Sequence, residues 1–227
     1  MRRVTLIGRA GLALWLAGWA VGLQAQTINF GNVQLWSGTF PTDLREGGVQ
    51  NDAHAWLFTE HVNLTLSQDE TVNAVSPGVY DAESDLGSYL IPQGTKVNVY
   101  LLHSDPMGEP SQPRIYQGSI TFPFPILGVI AKGRRLRLSD PRLGVPGTLY
   151  SQSDNYRGYE LGDWSGRPGG PERFEIGTDG RTLVFFAGTT NVVDELRILT
   201  VPEPASLSVL GIALGTLWVR RRRRTAC

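Results

Sequence analysis

Lys96-Val97-Asn98-Val99-Tyr100-Leu101 alternates Val97, Val99 and Leu101 with polar or amphipathic neighbours, the period-two pattern of a β-strand. The pattern recurs on both sides of it. Ile120 and Phe122 alternate after Gly118, and the run 126–131 is continuously apolar, as in a strand covered on both faces. Phe174-Glu175-Ile176, the turn Thr178-Asp179-Gly180-Arg181 and the run 182–187 read as a hairpin, because an Asp-Gly pair accepts the positive φ of a tight turn. Residues 192–199 close the series, with Leu196 and Ile198 on one face and Arg197 on the other. Toward the amino terminus, 27–36 reads as the first strand and 53–66 as one long or two short strands containing Trp56 and Phe58.

Glycine and proline punctuate the chain every few residues, and no long stretch carries clean helical periodicity. The segment 139–147 reads as loop, with at most one helical turn begun by Ser139 or Asp140 ahead of Pro141. The segment 162–171, rich in glycine and proline, reads as a mobile surface loop. Strands at intervals of roughly eight to fifteen residues predict an all-β fold: a single, jelly-roll-like β-sandwich over residues 26–200.

The two ends lie outside that domain. Arg2, Arg3 and Arg9 precede an apolar core at 10–23, and Leu23-Gln24-Ala25 places a small residue before a cut, so residues 1–25 read as a secretory signal peptide cleaved after Ala25. An uncleaved anchor is the alternative. At the other end, Val201-Pro202-Glu203-Pro204 leads into an apolar run at 205–219 and then Arg220, Arg221, Arg222, Arg223 and Arg224. As a helix that run rises ~22 Å against a hydrocarbon thickness of ~30 Å, a short span that snorkelling arginines and local thinning accommodate. Arginines favour the cytoplasmic side, which leaves the domain outside.

Between the ends, thirteen basic residues face twenty acidic ones, a charge near −7 although the whole chain sums to zero. That balance keeps an exported domain soluble and argues against nucleic-acid binding, which needs a basic footprint. The lone cysteine, Cys227, lies in the tail, so the domain contains no disulfide, cysteine nucleophile or cysteine-based metal site.

Pro202-Glu203-Pro204, the glycine-punctuated apolar run and the arginine cluster, taken with the leader, resemble the PEP-CTERM sorting signal. The resemblance implies export by a Gram-negative bacterium across the inner membrane and a transient carboxy-terminal anchor. It also implies processing of the tail by an exosortase and a final place at the cell surface or outside it. A plain tail anchor that stays in the membrane is the alternative. Within the domain, 97–105, 118–130, 139–150, Arg157-Gly158-Tyr159-Glu160 and Val193-Asp194-Glu195-Leu196-Arg197 resemble a group of exported PEP-CTERM proteins whose domain has no established activity. The expected role is therefore structural or adhesive, in an extracellular polysaccharide matrix, with no catalysis. An exported carbohydrate-binding or glycoside-cleaving protein is the second expectation.

Candidate sites are few. Asp81, Glu83 and Asp85 alternate before Gly87, and calcium is the one cofactor such a loop would hold, although Pro92 stands where a helical calcium loop needs glutamate. A solvated acidic loop is the competing reading. His103 and Asp105 share a strand end, where they would serve as base or ligand only if both faced one cavity. Glu60 and His61, as strand neighbours, are expected on opposite faces. Among the aromatic residues, Trp36, Trp56, Tyr156, Tyr159 and Trp164 fall in or beside loops and strand ends. There a ring stacks on a sugar while acids bind its hydroxyls, with Trp164 and Tyr159 the leading pair. No Gly-x-Ser-x-Gly, His-Glu-x-x-His or phosphate-binding glycine loop is present.

Overall fold

A computed structural model describes residues 26–108, 110–154, 157–162, 172–190 and 192–202. They belong to one compact unit. In chain order the elements are β1 (Thr27–Gly31), β2 (Val33–Leu35), β3 (Asp43–Leu44), β4 (Ala55–Thr65), β5 (Glu70–Val72), β6 (Gly78–Tyr80), β7 (Tyr89–Ile91) and β8 (Lys96–Ser104). There follow β9 (Arg114–Thr121), β10 (Ile126–Ile130), α1 (Gly133–Leu143), β11 (Leu149–Tyr150), β12 (Arg173–Ile176), β13 (Thr182–Thr189) and β14 (Asp194–Thr200). The described residues are mostly β, as the alternating patterns predict. One five-stranded sheet runs β1-β9-β13-β12-β6, a second runs β10-β14-β8-β4-β2, and β11-β3 and β5-β7 form two small pairs.

β8 shows why its sequence is so apolar. On one face, Tyr100 and Leu102 join the largest core cluster, which also takes Ile120, Phe174, Leu183 and Phe185 from the first sheet. On the other face, Val97 and Val99 pack with Leu136 and Leu143 of α1, and Leu101 packs with Leu44, Phe58 and Tyr150. A strand covered on both sides needs apolar residues on both sides. The predicted hairpin also forms: β12 and β13 pair antiparallel, Gly180 adopts φ +65°, and Asp179 Oδ1 accepts the Arg181 and Thr182 N–H groups.

Two expectations need correction. The segment around Ser139 is not loop, because Ser139, Asp140 and Pro141 lie inside the eleven-residue helix α1. Its buried residues Leu136, Ser139 and Leu143 recur at helical spacing, but a serine in that row and three arginines beside it hide the period. Pro141 sits in the last turn, where it gives up one backbone bond, and Gly144 N–H still closes the helix onto Asp140 C=O at 2.9 Å.

The stretch 27–36 is two strands rather than one. β1 belongs to the first sheet and β2 to the second, and the chain crosses between them at Gly31-Asn32. Asn32 holds the crossing: its side chain donates to Ile115 C=O at 2.8 Å and accepts from Gln117 N–H at 2.7 Å, in place of a strand backbone.

Among the described residues no helix is long and apolar enough to cross a membrane. The leader with Ala25, the apolar run 205–219, Glu203, Pro204 and the arginine cluster all lie outside the described residues.

Candidate functional site

The outer face of the first sheet carries a groove of about 300 Å³. Two rows of side chains cross the strands there. Arg173, Phe186 and Gln117 stand opposite one another on β12, β13 and β9. In the next row Phe30, Ser119, Val184, Glu175 and Val79 extend the line from β1 to β6. Phe30 and Val79 are 58 % and 53 % exposed, so the groove is apolar in its walls and polar at Gln117, Arg173 and Glu175.

A β-bulge makes this surface. The register of β1 slips between Ile28 and Phe30, so Ile28 packs inward while Phe30, two residues on, points out. Asn29 fills the slip, donating to Ser119 Oγ at 3.0 Å and Thr121 Oγ1 at 2.9 Å. Gly31 completes it at φ +98°, where a Cβ would lie 2.1 Å from Gln117 O. Simple alternation along 27–36 gives no sign of an exposed Phe30. The signal that was present is the Asn29-Phe30-Gly31 triplet, a polar residue and a glycine bracketing an aromatic within a strand.

On the far face of the second sheet, beneath α1, lies a buried ionic chain. Arg197 on β14 grips Glu60 of β4 through Nε and Nη2 at 2.7 and 2.9 Å and reaches Asp140 of α1 at 3.0 Å. Its remaining donors go to Ser139 Oγ and Leu136 C=O, so all five guanidinium N–H groups are satisfied. Arg157 binds Asp140 through both terminal nitrogens and Glu195 through Nε, and Glu195 bonds His103 Nδ1 at 2.8 Å. The Tyr150 ring lies beneath both guanidiniums at 5.3 and 5.5 Å.

Burial pushes the Glu195 carboxyl up, but Arg157 and His103 outweigh it and hold Glu195 at about 2. Burial likewise opposes the charge of Arg197, and the Glu60 carboxylate more than restores it, raising the guanidinium. Arg157, Arg197, Glu195 and His103 are all 0 % exposed, so this ionic network is closed to solvent and ties β4, β8, β14 and α1 together. Arg197 does lie on the face opposite Leu196 and Ile198, as alternation predicts. That face is buried because α1 covers it.

Elsewhere Glu172 and Asp194 bring two carboxyls together in the interior. Burial first, and in Asp194 also the neighbouring Glu172, drive both upward, Glu172 to about 7 and Asp194 well above the carboxylate range. Glu172 also accepts the Glu160 N–H at 2.6 Å. Both carboxyls are almost completely enclosed, at 2 % and 3 %, so neither is presented to a sugar for acid catalysis.

The sequence-derived candidates separate. Asp85 turns back to accept the N–H groups of Asp81 and Ala82, and Glu83 pairs with Lys132 at 2.6 Å. The three carboxylates therefore do not converge, and no metal-binding cluster is found among the described residues. His103 and Asp105 do not face one cavity either, since His103 turns to Glu195 while Asp105 accepts the Gly47 N–H at 2.9 Å. Burial lifts Asp105 to about 6 against the pull of His103.

A bulge between Thr59 and His61 overturns the opposite-face expectation for Glu60 and His61. Glu60 accepts from Tyr150 Oη and His61 Nε2 meets Gly144 C=O, so both reach the 144–150 segment. Tyr159 is corrected as a stacking platform: it is 2 % exposed, with its ring against Phe174 and in the core cluster, so neither face is open to a sugar. Trp36 and Trp56 pack edge-on to each other at 4.9 Å and are half-buried. Trp164 and Tyr156 lie outside the described residues. Comparison of the chain with family models, curated proteins and solved structures gives no match.

Proposed function

We propose that this chain is an exported, surface-sorted adhesive or structural protein of an extracellular polysaccharide matrix, acting by binding rather than catalysis. The observation that carries the reading is the outer-sheet groove. Phe30 offers an open aromatic face to the C–H side of a sugar ring, and Gln117, Arg173 and Glu175 are placed to bond its hydroxyls. The two five-stranded sheets are read as one jelly-roll-like sandwich, supported by the core cluster that takes side chains from both. Such a scaffold leaves an outer sheet face free for a ligand. Val201, Pro202, Glu203 and Pro204, the apolar run 205–219 and Arg220 to Arg224 are read as a PEP-CTERM signal that an exosortase removes at the inner membrane.

Two measurements test this. Phe30→Ala should weaken retention on the host's own polysaccharide by ~1 kcal/mol, about five-fold in affinity. Unchanged retention would remove the groove from the proposal. Intact-mass analysis of protein recovered from membrane and medium should find cleavage after Ala25 and near Pro204. A species retaining both ends would contradict the sorting reading.

A further inference from the structure

Both ends of the described domain meet at one phenol. Tyr100, 2 % exposed, has its hydroxyl beside the side chains of Gln26, Thr200 and Asn98. Thr27 stands opposite Thr121 in the first sheet, and Thr200 stands opposite Asn98 and Ile126 in the second. The chain thus enters and leaves at one pole.

The same pole carries the loop Phe122-Pro123-Phe124-Pro125. It is held at both ends by the neighbouring turn: Phe122 N–H donates to Arg181 C=O at 3.0 Å and Ile126 N–H to Gly180 C=O at 2.8 Å. Val201 N–H donates to Pro125 C=O at 2.9 Å, so the exit strand is pinned to this loop.

The leader's apolar core ends at Leu23 and the tail's apolar run starts at Ala205, four residues before Thr27 and five after Thr200. Fully extended, these stretches span ~14 and ~18 Å, comparable to the ~16 Å radius of gyration of a domain of about 175 residues. A domain on so short a tether keeps this pole nearer the bilayer than the opposite one. The charge at this pole is also balanced, with exposed Lys96 and Arg181 beside exposed Asp69 and Asp179, whereas the domain as a whole is near −7. Anionic lipid therefore meets no net opposing charge from these four groups.

We infer that the pole formed by Gln26, the 122–125 loop and Val201 is a membrane-docking surface, resting on lipid headgroups while either apolar end is embedded. Half-buried Phe124 and exposed Pro125 are the groups that meet the interface. The inference rests on the sorting reading of the two ends, and the test separates them.

Cys227 is the only cysteine, so Cys227→Ser permits a single fluorescent label on the full-length chain. The label goes at Phe124→Cys, at Pro125→Cys in case the first variant is unstable, or at Met107→Cys. Met107 is 61 % exposed and lies beyond the far end of β8. In vesicles of phosphatidylcholine and phosphatidylglycerol, a lipid-borne quencher should dim the label at 124 or 125 several-fold more than the label at 107. Flotation with the vesicles and equal quenching at both poles would overturn the docking surface while sparing the anchor. Failure to float with the vesicles would overturn both.

Discussion

At the scale of single residues, Gly31 decides more than its size implies. Its positive φ and the 2.1 Å approach of a Cβ to Gln117 O leave no unstrained place for a side chain. Gly31→Ala should destabilise the domain by about 1–3 kcal/mol, read from urea denaturation, and should also lower polysaccharide retention by shifting Phe30. A variant of unchanged stability would mean that the bulge is not fixed by this glycine. The glycine was visible in the sequence, but the oxygen that excludes its Cβ belongs to β9, eighty-six positions further on. Tyr159 makes the same point in reverse. A tyrosine beside a glycine-rich segment reads as exposed, yet the first sheet closes over it, because Phe174 arrives from β12 to cover its ring.

At the scale of elements, the ionic chain binds β4, β14 and α1 into one body. Arg197→Met would leave Glu60, with Asp140 beside it, short of a counter-charge in a site closed to solvent. The expected cost is about 3–5 kcal/mol, whereas the double change of Arg197 and Glu60 to methionine should recover much of that loss. Equal stability of the single variant and the parent, by denaturant midpoint, would show the clamp to be idle. Period-two alternation located β8, β12, β13 and β14 because each strand's own residues carry the pattern. It gave no warning that the charged row of β14 is buried, since that depends on α1 packing against the sheet from fifty residues earlier in the chain.

At the scale of the whole molecule, the buried carboxyls set a pH optimum. Asp105, Glu172 and Asp194 hold their protons more tightly folded than unfolded. Their contribution is full below the unfolded values near ~4 and is lost as pH rises, through about 6 for Asp105 and about 7 for Glu172. Glu195 has the opposite sign: its contribution is present above its ordinary 4.5 and fades as pH falls toward about 2. The thermal midpoint should therefore peak near pH ~4, between the loss of the Glu195 contribution below it and the loss of the other three above it, and Asp194→Asn should flatten the decline on the alkaline side. A midpoint still rising at pH ~8 would refute the assignment of these protons.

What the sequence determined by itself is the all-β character of the domain, the position of its principal strands and hairpin, and an acidic domain bracketed by two apolar, arginine-flanked ends. Each of these is written in neighbouring residues, through period, turn chemistry and charge. The tertiary structure alone decided which polar residues are sealed inside, which aromatic ring is left open, and that the chain enters and leaves at one pole. Those outcomes depend on partners brought together across tens of residues by sheet pairing and helix packing, and no local pattern encodes a distance between remote parts of a chain.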